Sequence, residues 1–219
     1  MPYLILARHG RTTSNASGVL AGRSEGVGLD DVGQRQARDA AARLSGVDVA
    51  RLVSSPMQRC LETSELLLPD ATPTIDERLT ECDYGSWTGG KLADLAKEPL
   101  WRTVQRQPSA VTFPDGESMT QMSARAVAAA REISAQVARD VDEHAIWVAV
   151  SHGDVIKAIL ADALGMHLDQ FQRISVSPAS LSLIHYGQQR ASVLAMNTVA
   201  GTLPIPPKPT DDAVVGGTA

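Results

Sequence analysis

The residues richest in chemistry come early. Arg8-His9-Gly10-Arg11-Thr12-Thr13-Ser14-Asn15 places an imidazole between two guanidiniums and follows it with hydroxyl and amide donors. A neutral imidazole can attack phosphorus, nearby guanidiniums disfavour the imidazolium, and their forked N–H groups fit phosphoryl oxygens. Gly10 permits close backbone approach. The pattern asks for a phosphorylated ligand held by a local cationic cradle.

A second histidine repeats the local context. Residues 4–10 read LILARHG and residues 147–153 read WVAVSHG, each an apolar run ending in His-Gly. Both histidines should leave the carboxyl ends of strands, the edge where open α/β sheets bind ligands. Taken singly, a histidine at a strand end is usually a hydrogen-bonded packing residue, and an arginine such as Arg8 or Arg59 usually makes a structural ion pair. Cys60 and Cys82 belong to no CxxC or Cys/His motif and read as core or wall residues. Arg11, Arg23, Thr12, Ser14 and Ser151 read as loop or supporting residues, and His144, His167 and His185 as structural or exposed.

The elements that must carry these groups alternate short buried strands with longer helical periodicities. This predicts an α/β/α three-layer sandwich with a mostly parallel central sheet. Strands are expected at Tyr3 to Ala7, Arg51 to Ser54 and Ile146 to Val150, with a closing hairpin of Leu181 to Tyr186 and Arg190 to Met196. Ala37, Ala40, Ala41 and Leu44 mark a helix after Gly33. Ser55-Pro56-Met57-Gln58 reads as a capped helix start that puts Arg59 in a first turn, where anions gather. Ser118 with Gln121 reads as a capping box opening a long helix through Val141, and a further helix follows Gly153 and runs to Leu164. Residues 1–200 read as one domain, 82–115 as a cap-like insertion bearing Tyr84, Trp87, Trp101 and Phe113, and 201–219 as a flexible tail.

Composition narrows the partners. The 219 residues are 43% hydrophobic and carry a formal charge of -5, so there is no general cationic field for nucleic acid or an anionic membrane surface. Apolar runs of about 6 residues fall far short of the ~20 that cross a bilayer. Two cysteines and an opening Met1-Pro2-Tyr3 without a basic segment predict a soluble protein of the reducing cytoplasm. A homodimer is left open.

The ordered motifs resemble those of the histidine phosphatase superfamily, the phosphoglycerate mutase-like proteins. Arg8-His9-Gly10 with Asn15 resembles its signature, and Ser54-Ser55-Pro56-Met57-Gln58-Arg59-Cys60-Leu61-Glu62-Thr63 its second-arginine motif. Leu79-Thr80-Glu81-Cys82-Asp83-Tyr84-Gly85-Ser86-Trp87 resembles its acid/base segment, Gly116-Glu117-Ser118 its later turn, and Ser151-His152-Gly153 its second histidine. The resemblance implies His9 as nucleophile and Glu81 as acid and then base. Arg8, Arg59, Asn15 and His152 would hold phosphoryl oxygens, with Gly22 and Gly153 completing the substrate-binding set. It implies a phosphomonoester as the small-molecule partner and no metal or other cofactor.

Other readings compete. A phosphomutase would use the same intermediate, but glycolytic mutases typically carry Arg after the catalytic Glu, where this chain has Cys82, and a hydroxyl residue where it has Ala21. A non-catalytic phosphate-binding module should lack one of His9, Arg8, Arg59, Glu81 or His152, and all five are present. A zinc hydrolase lacks a third ligand at recognisable spacing.

Overall fold

The computed structural model describes residues 2–205. Its strands are β1 (Tyr3–Arg8), β2 (Val49–Ser54), β3 (Thr74–Ile75), β4 (Ile146–Ser151), β5 (Leu181–Tyr186) and β6 (Ala191–Thr198). They form one sheet in the order β3-β2-β4-β1-β5-β6. The first four run parallel, and β5 and β6 add an antiparallel edge. β3, two exposed residues long, has too little apolar pattern to announce itself in the sequence.

The helices are α1 (Thr13–Ser17), α2 (Asp31–Ala42), α3 (Gln58–Leu67), α4 (Leu92–Leu95), α5 (Pro99–Arg106), α6 (Met119–Asp140) and α7 (Gly153–Ala163). Strand residues alternate between two cores because successive side chains point to opposite faces. Leu4, Leu6, Trp147 and Ala149 pack with α6 and α7. Ile5, Ala7, Val148 and Val150 pack with Ala40 of α2 and with Cys60 and Leu67 of α3. The α/β/α sandwich expected from the sequence is the observed architecture.

The helix starts explain where the functional loops lie. Ser118 and Gln121 form the expected capping box of α6, but Val141 and Leu164 lie past the ends of α6 and α7 and are exposed. The expected cap of α3 is corrected: the helix begins at Gln58 with no side-chain cap. The Ser55 hydroxyl is instead hydrogen-bonded to His152 Nε2 at 2.8 Å. A further correction concerns 201–205, expected to be flexible. Leu203 is buried in the α2/α3 core, and Arg43 donates to the carbonyls of Thr198 and Gly201. The remainder of that expected tail lies outside the described residues. No helix among the described residues is long and apolar enough to cross a membrane.

Candidate active site

Strand register brings the two histidines together. β1 and β4 are neighbours with Arg8 opposite Ser151, so His9 and His152 leave the same edge, their rings 5.3 Å apart. β2 flanks β4 with Ser54 opposite Val150, which delivers Ser55 and then Arg59 to the same place. Arg8, His9, Asn15, Gly22, Arg59, Glu81 and Gly153 all line one cleft of about 590 Å³. His152, fully buried, stands behind Arg59 and outside that lining.

The hydrogen bond at one nitrogen of His9 fixes what the other can do. Nδ1 lies 2.8 Å from the carbonyl oxygen of Gly10. A carbonyl only accepts, so Nδ1 carries the proton and Nε2 keeps its lone pair. Burial, then the charges of Arg8 and Arg59, hold the imidazole well below its ordinary pKa, partly opposed by the Gly10 bond. His9 is therefore held as a neutral imidazole whose Nε2 lone pair is uncommitted.

The same bookkeeping assigns His152. Its Nδ1 faces Arg59 Nη2 at 3.2 Å, and a guanidinium only donates, so Nδ1 accepts and Nε2–H donates to Ser55 Oγ. Burial and the charge of Arg59 keep it neutral. In this arrangement the site-facing nitrogen of His152 supports Arg59. Gly22 has a similar part, its carbonyl accepting from Arg59 Nη2 at 2.7 Å. Gly22 adopts φ +50°, and a Cβ there would lie 2.7 Å from Thr88 Oγ1.

Two arginine donors are left over. Arg59 is almost wholly buried, yet its Nη1 has no hydrogen-bond partner, and neither has the buried Nε of Arg8. Arg8 is otherwise tied by Nη1 to the carbonyl of Val176. Buried charged donors without acceptors are costly, and an anion rich in acceptor oxygens is the kind of group that would satisfy this pair. Asn15 spends its Oδ1 on the backbone N–H and hydroxyl of Thr12, which leaves its NH₂ as the donor end. Gly153 opens α7 against Arg8, and a Cβ there would meet only ordinary contacts. At Gly10 the close approach is to the backbone of Gly33, 2.5 Å from where a Cβ would sit, so the missing side chain lets α2 seat against the loop.

Glu81 is buried at the cleft wall, Oε2 3.9 Å from His152 Nδ1. Burial, reinforced by the charge of Asp154 and opposed by Arg59, the backbone N–H of Cys82 and Arg8, raises its pKa to about 7. A brace of charges holds its backbone. Arg23 Nε and Arg125 Nη2 both donate to the Glu81 carbonyl, and Glu117 accepts from both arginines and from the N–H of Asp83. Ser151 anchors the preceding turn by donating to the carbonyl of Leu79.

Sequence reading overlooked Arg125, although a signal existed. It lies three residues after buried Met122 and four before buried Ala129, a core-facing stripe where a cation needs partners. Asp154 was also overlooked. It accepts from the Tyr84 hydroxyl at 2.9 Å and from Lys157 Nζ at 3.3 Å at the cleft wall. Ser55 was read only as a helix cap. The thiols are poor nucleophiles here: Cys60 touches His152 at 3.5 Å, but burial pushes its pKa up to about 12, and burial raises Cys82 as well. Among the described residues no cluster of three or more His, Cys, Asp or Glu could hold a metal ion.

The sequence matches the histidine phosphatase superfamily (branch 1) over residues 4–199. The chain belongs to that superfamily. Histidine phosphatase relatives bear two kinds of name at equal distance. A probable phosphoglycerate mutase GpmB of Proteus mirabilis is 29% identical over 191 residues, covering 85% of this chain and 86% of its own. Phosphoserine phosphatase 1 of Hydrogenobacter thermophilus is 29% identical over 202 residues, covering 90% and 92%. Among solved structures, the mycobacterial glucosyl-3-phosphoglycerate phosphatase Rv2419c, in complex with VO3, superposes with a TM-score of 0.78 at 25% identity over 89% of this chain and 98% of its own.

Proposed function

We propose that this histidine phosphatase superfamily member hydrolyses phosphomonoesters through a phosphohistidine on His9, without a metal. The observation that carries the reading is that Arg8 and Arg59, each keeping a buried N–H without a protein acceptor, line the same cleft as His9. A phosphoryl group there supplies the missing acceptors. Phosphoryl transfer needs in-line positioning and stabilisation of charge on the equatorial oxygens, which two guanidiniums and the Asn15 amide provide.

In the first step His9 Nε2 attacks phosphorus, the P–O bond to the alcohol breaks, and Glu81 gives its proton to the departing alkoxide. In the second, water attacks phosphorus, its proton passes to Glu81, and the P–N bond breaks to release inorganic phosphate. The pKa of about 7 suits Glu81 to both directions. Ser55, His152 and Gly22 act through Arg59, fixing the guanidinium before substrate arrives.

The mutase reading needs side chains that hold the dephosphorylated acid for return transfer. Lys91, Lys97, Arg102 and Arg106 of segment 82–115 are exposed and do not line the cleft. That favours transfer to water.

Leaving-group dependence tests the assignment of Glu81. Glu81→Gln should lower kcat/KM for alkyl phosphates by roughly 100- to 1,000-fold, and for p-nitrophenyl phosphate by less than about tenfold, because a phenolate needs little protonation. The pH profile follows from the same group. Its pKa is raised, so the useful proton is present below about pH 7 and is lost as the pH climbs through that value. Alkyl phosphate hydrolysis by the wild type should decline above about pH 7, and Glu81→Gln should lack that limb. Equal losses on both substrates would make Glu81 structural.

A further inference from the structure

The phosphoryl end occupies only one corner of the 590 Å³ cleft, and the remainder must accept the alcohol. One wall is apolar and partly aromatic, formed by Leu20, Trp87, Leu92, Trp101, Val104 and Phe113, and it faces polar residues that include Gln105, Asp154, Lys157 and Gln172. Trp87 and Trp101 stack with centroids 6.1 Å apart, and Phe113 packs edge-on to Trp87. Trp87 and Phe113 are buried in the core, whereas Trp101 and Leu20 only pack against it and so keep surface for a ligand.

The charges point the same way. Among the described residues lining the cleft, the cations besides Arg8 and Arg59 reduce to Lys157. Its ammonium is already engaged by Asp154 Oδ1 at 3.3 Å and Gln172 Oε1 at 3.1 Å, and sits 5.4 Å over the Phe171 ring. A carboxylate on the leaving group would meet no uncommitted cation and would face the carboxyls of Glu81 and Asp154. Desolvating an unpaired carboxylate against such a wall is strongly disfavoured.

We infer that the substrate is the phosphomonoester of an uncharged alcohol with a flat apolar body, and that Trp101 and Leu92 determine this specificity. The inference rests on the phosphomonoesterase reading and narrows it. Aromatic faces reward a planar partner beyond the area it buries, and the Asp154/Lys157/Gln172 cluster offers hydrogen bonds to hydroxyls without favouring a net charge.

The test compares 2-naphthylmethyl phosphate, ethyl phosphate and 3-phosphoglycerate on wild type, Trp101→Ala and Leu92→Lys, with p-nitrophenyl phosphate as the common reporter. The wild type should favour the naphthylmethyl ester over the other two by about tenfold or more in kcat/KM. Trp101→Ala should erase that preference through KM, bringing the naphthylmethyl and ethyl esters to within about twofold of each other. Leu92 is exposed at 40%, so a lysine there should fold. Leu92→Lys should raise kcat/KM for 3-phosphoglycerate about fivefold relative to that for ethyl phosphate. Three results overturn the inference: 3-phosphoglycerate turned over as well as the naphthylmethyl ester, Trp101→Ala losing both neutral esters equally, or Leu92→Lys leaving 3-phosphoglycerate unmoved relative to ethyl phosphate. If wild type hydrolyses none of the four, p-nitrophenyl phosphate included, the phosphomonoesterase reading itself fails and this inference falls with it.

Discussion

Replacing His9 with alanine is expected to lower phosphatase turnover by roughly four to six orders of magnitude, the scale on which removal of a covalent nucleophile acts in other enzymes. The expectation comes from the geometry of one side chain. His9 has a single hydrogen-bonding commitment, Nδ1–H to the Gly10 carbonyl, and that commitment leaves Nε2 with its lone pair. Burial and two guanidiniums keep the ring neutral. The Gly10 carbonyl loses its donor in the variant, a cost of about 1–3 kcal/mol, so the protein should still fold. Steady-state kinetics beside a thermal melt separates the two effects. A folded His9→Ala protein that keeps even a hundredth of the activity would remove His9 from the chemistry.

The second large effect belongs to Arg59, and it should divide activity from stability. Arg59→Met is expected to lose roughly 10³- to 10⁵-fold in kcat/KM, the range over which an arginine acts on phosphoryl transfer. Stability should move the other way or not at all. Arg59 is buried with an unpartnered Nη1 close enough to Arg8 and both histidines to depress their protonation. Removing a buried charge with an unpartnered donor is favourable, and it offsets the roughly 1–3 kcal/mol lost at each of the Gly22 carbonyl and His152 Nδ1, which lose their donor. In phosphate-free buffer the variant should melt at or above the wild type. Added inorganic phosphate should raise the wild-type Tm and leave the variant's unchanged, because a ligand stabilises only the protein that binds it. A variant destabilised without phosphate, yet still stabilised by it, would place the anion elsewhere.

Much of this was legible in the sequence, because the strands that matter end at their chemistry. Leu4 to Arg8 and Trp147 to Ser151 are apolar runs that stop at His-Gly, and parallel pairing of β1 with β4 turns that repetition into two adjacent histidines. The capping box at Ser118 and Gln121 is local, and it formed as the residues implied. Where local rules failed, a tertiary partner had claimed the group. Ser55 has the composition of a helix cap, but β2 carries it beside β4 and His152 takes its hydroxyl. Gly10 does permit a close backbone approach, but that the approaching backbone is Gly33 on α2 is a tertiary fact that no local rule names. Leu203 stands among prolines and polar residues, and only the folded core it joins, with Ala40, Leu44 and Leu52, shows that it is buried.

The support of the site was the least legible part. Arg23, Arg125 and Glu117 are distant in sequence and meet only where the Glu81 segment crosses the start of α6. Arg8 and Arg59 could be picked out from the motif, but their unpartnered N–H groups are a property of the folded chain.

The measurement that bears most directly on the mechanism identifies which nitrogen is phosphorylated. Wild-type protein mixed with a ³²P-labelled phosphomonoester and quenched in base within the first turnover should carry acid-labile, base-stable phosphate on His9, attached at Nε2, since Nδ1 is held as a donor to the Gly10 carbonyl. Peptide mapping and separation of the two phosphohistidine isomers read this out. Label on Nδ1 of His9, on any other residue, or absent while phosphate is released would contradict the account.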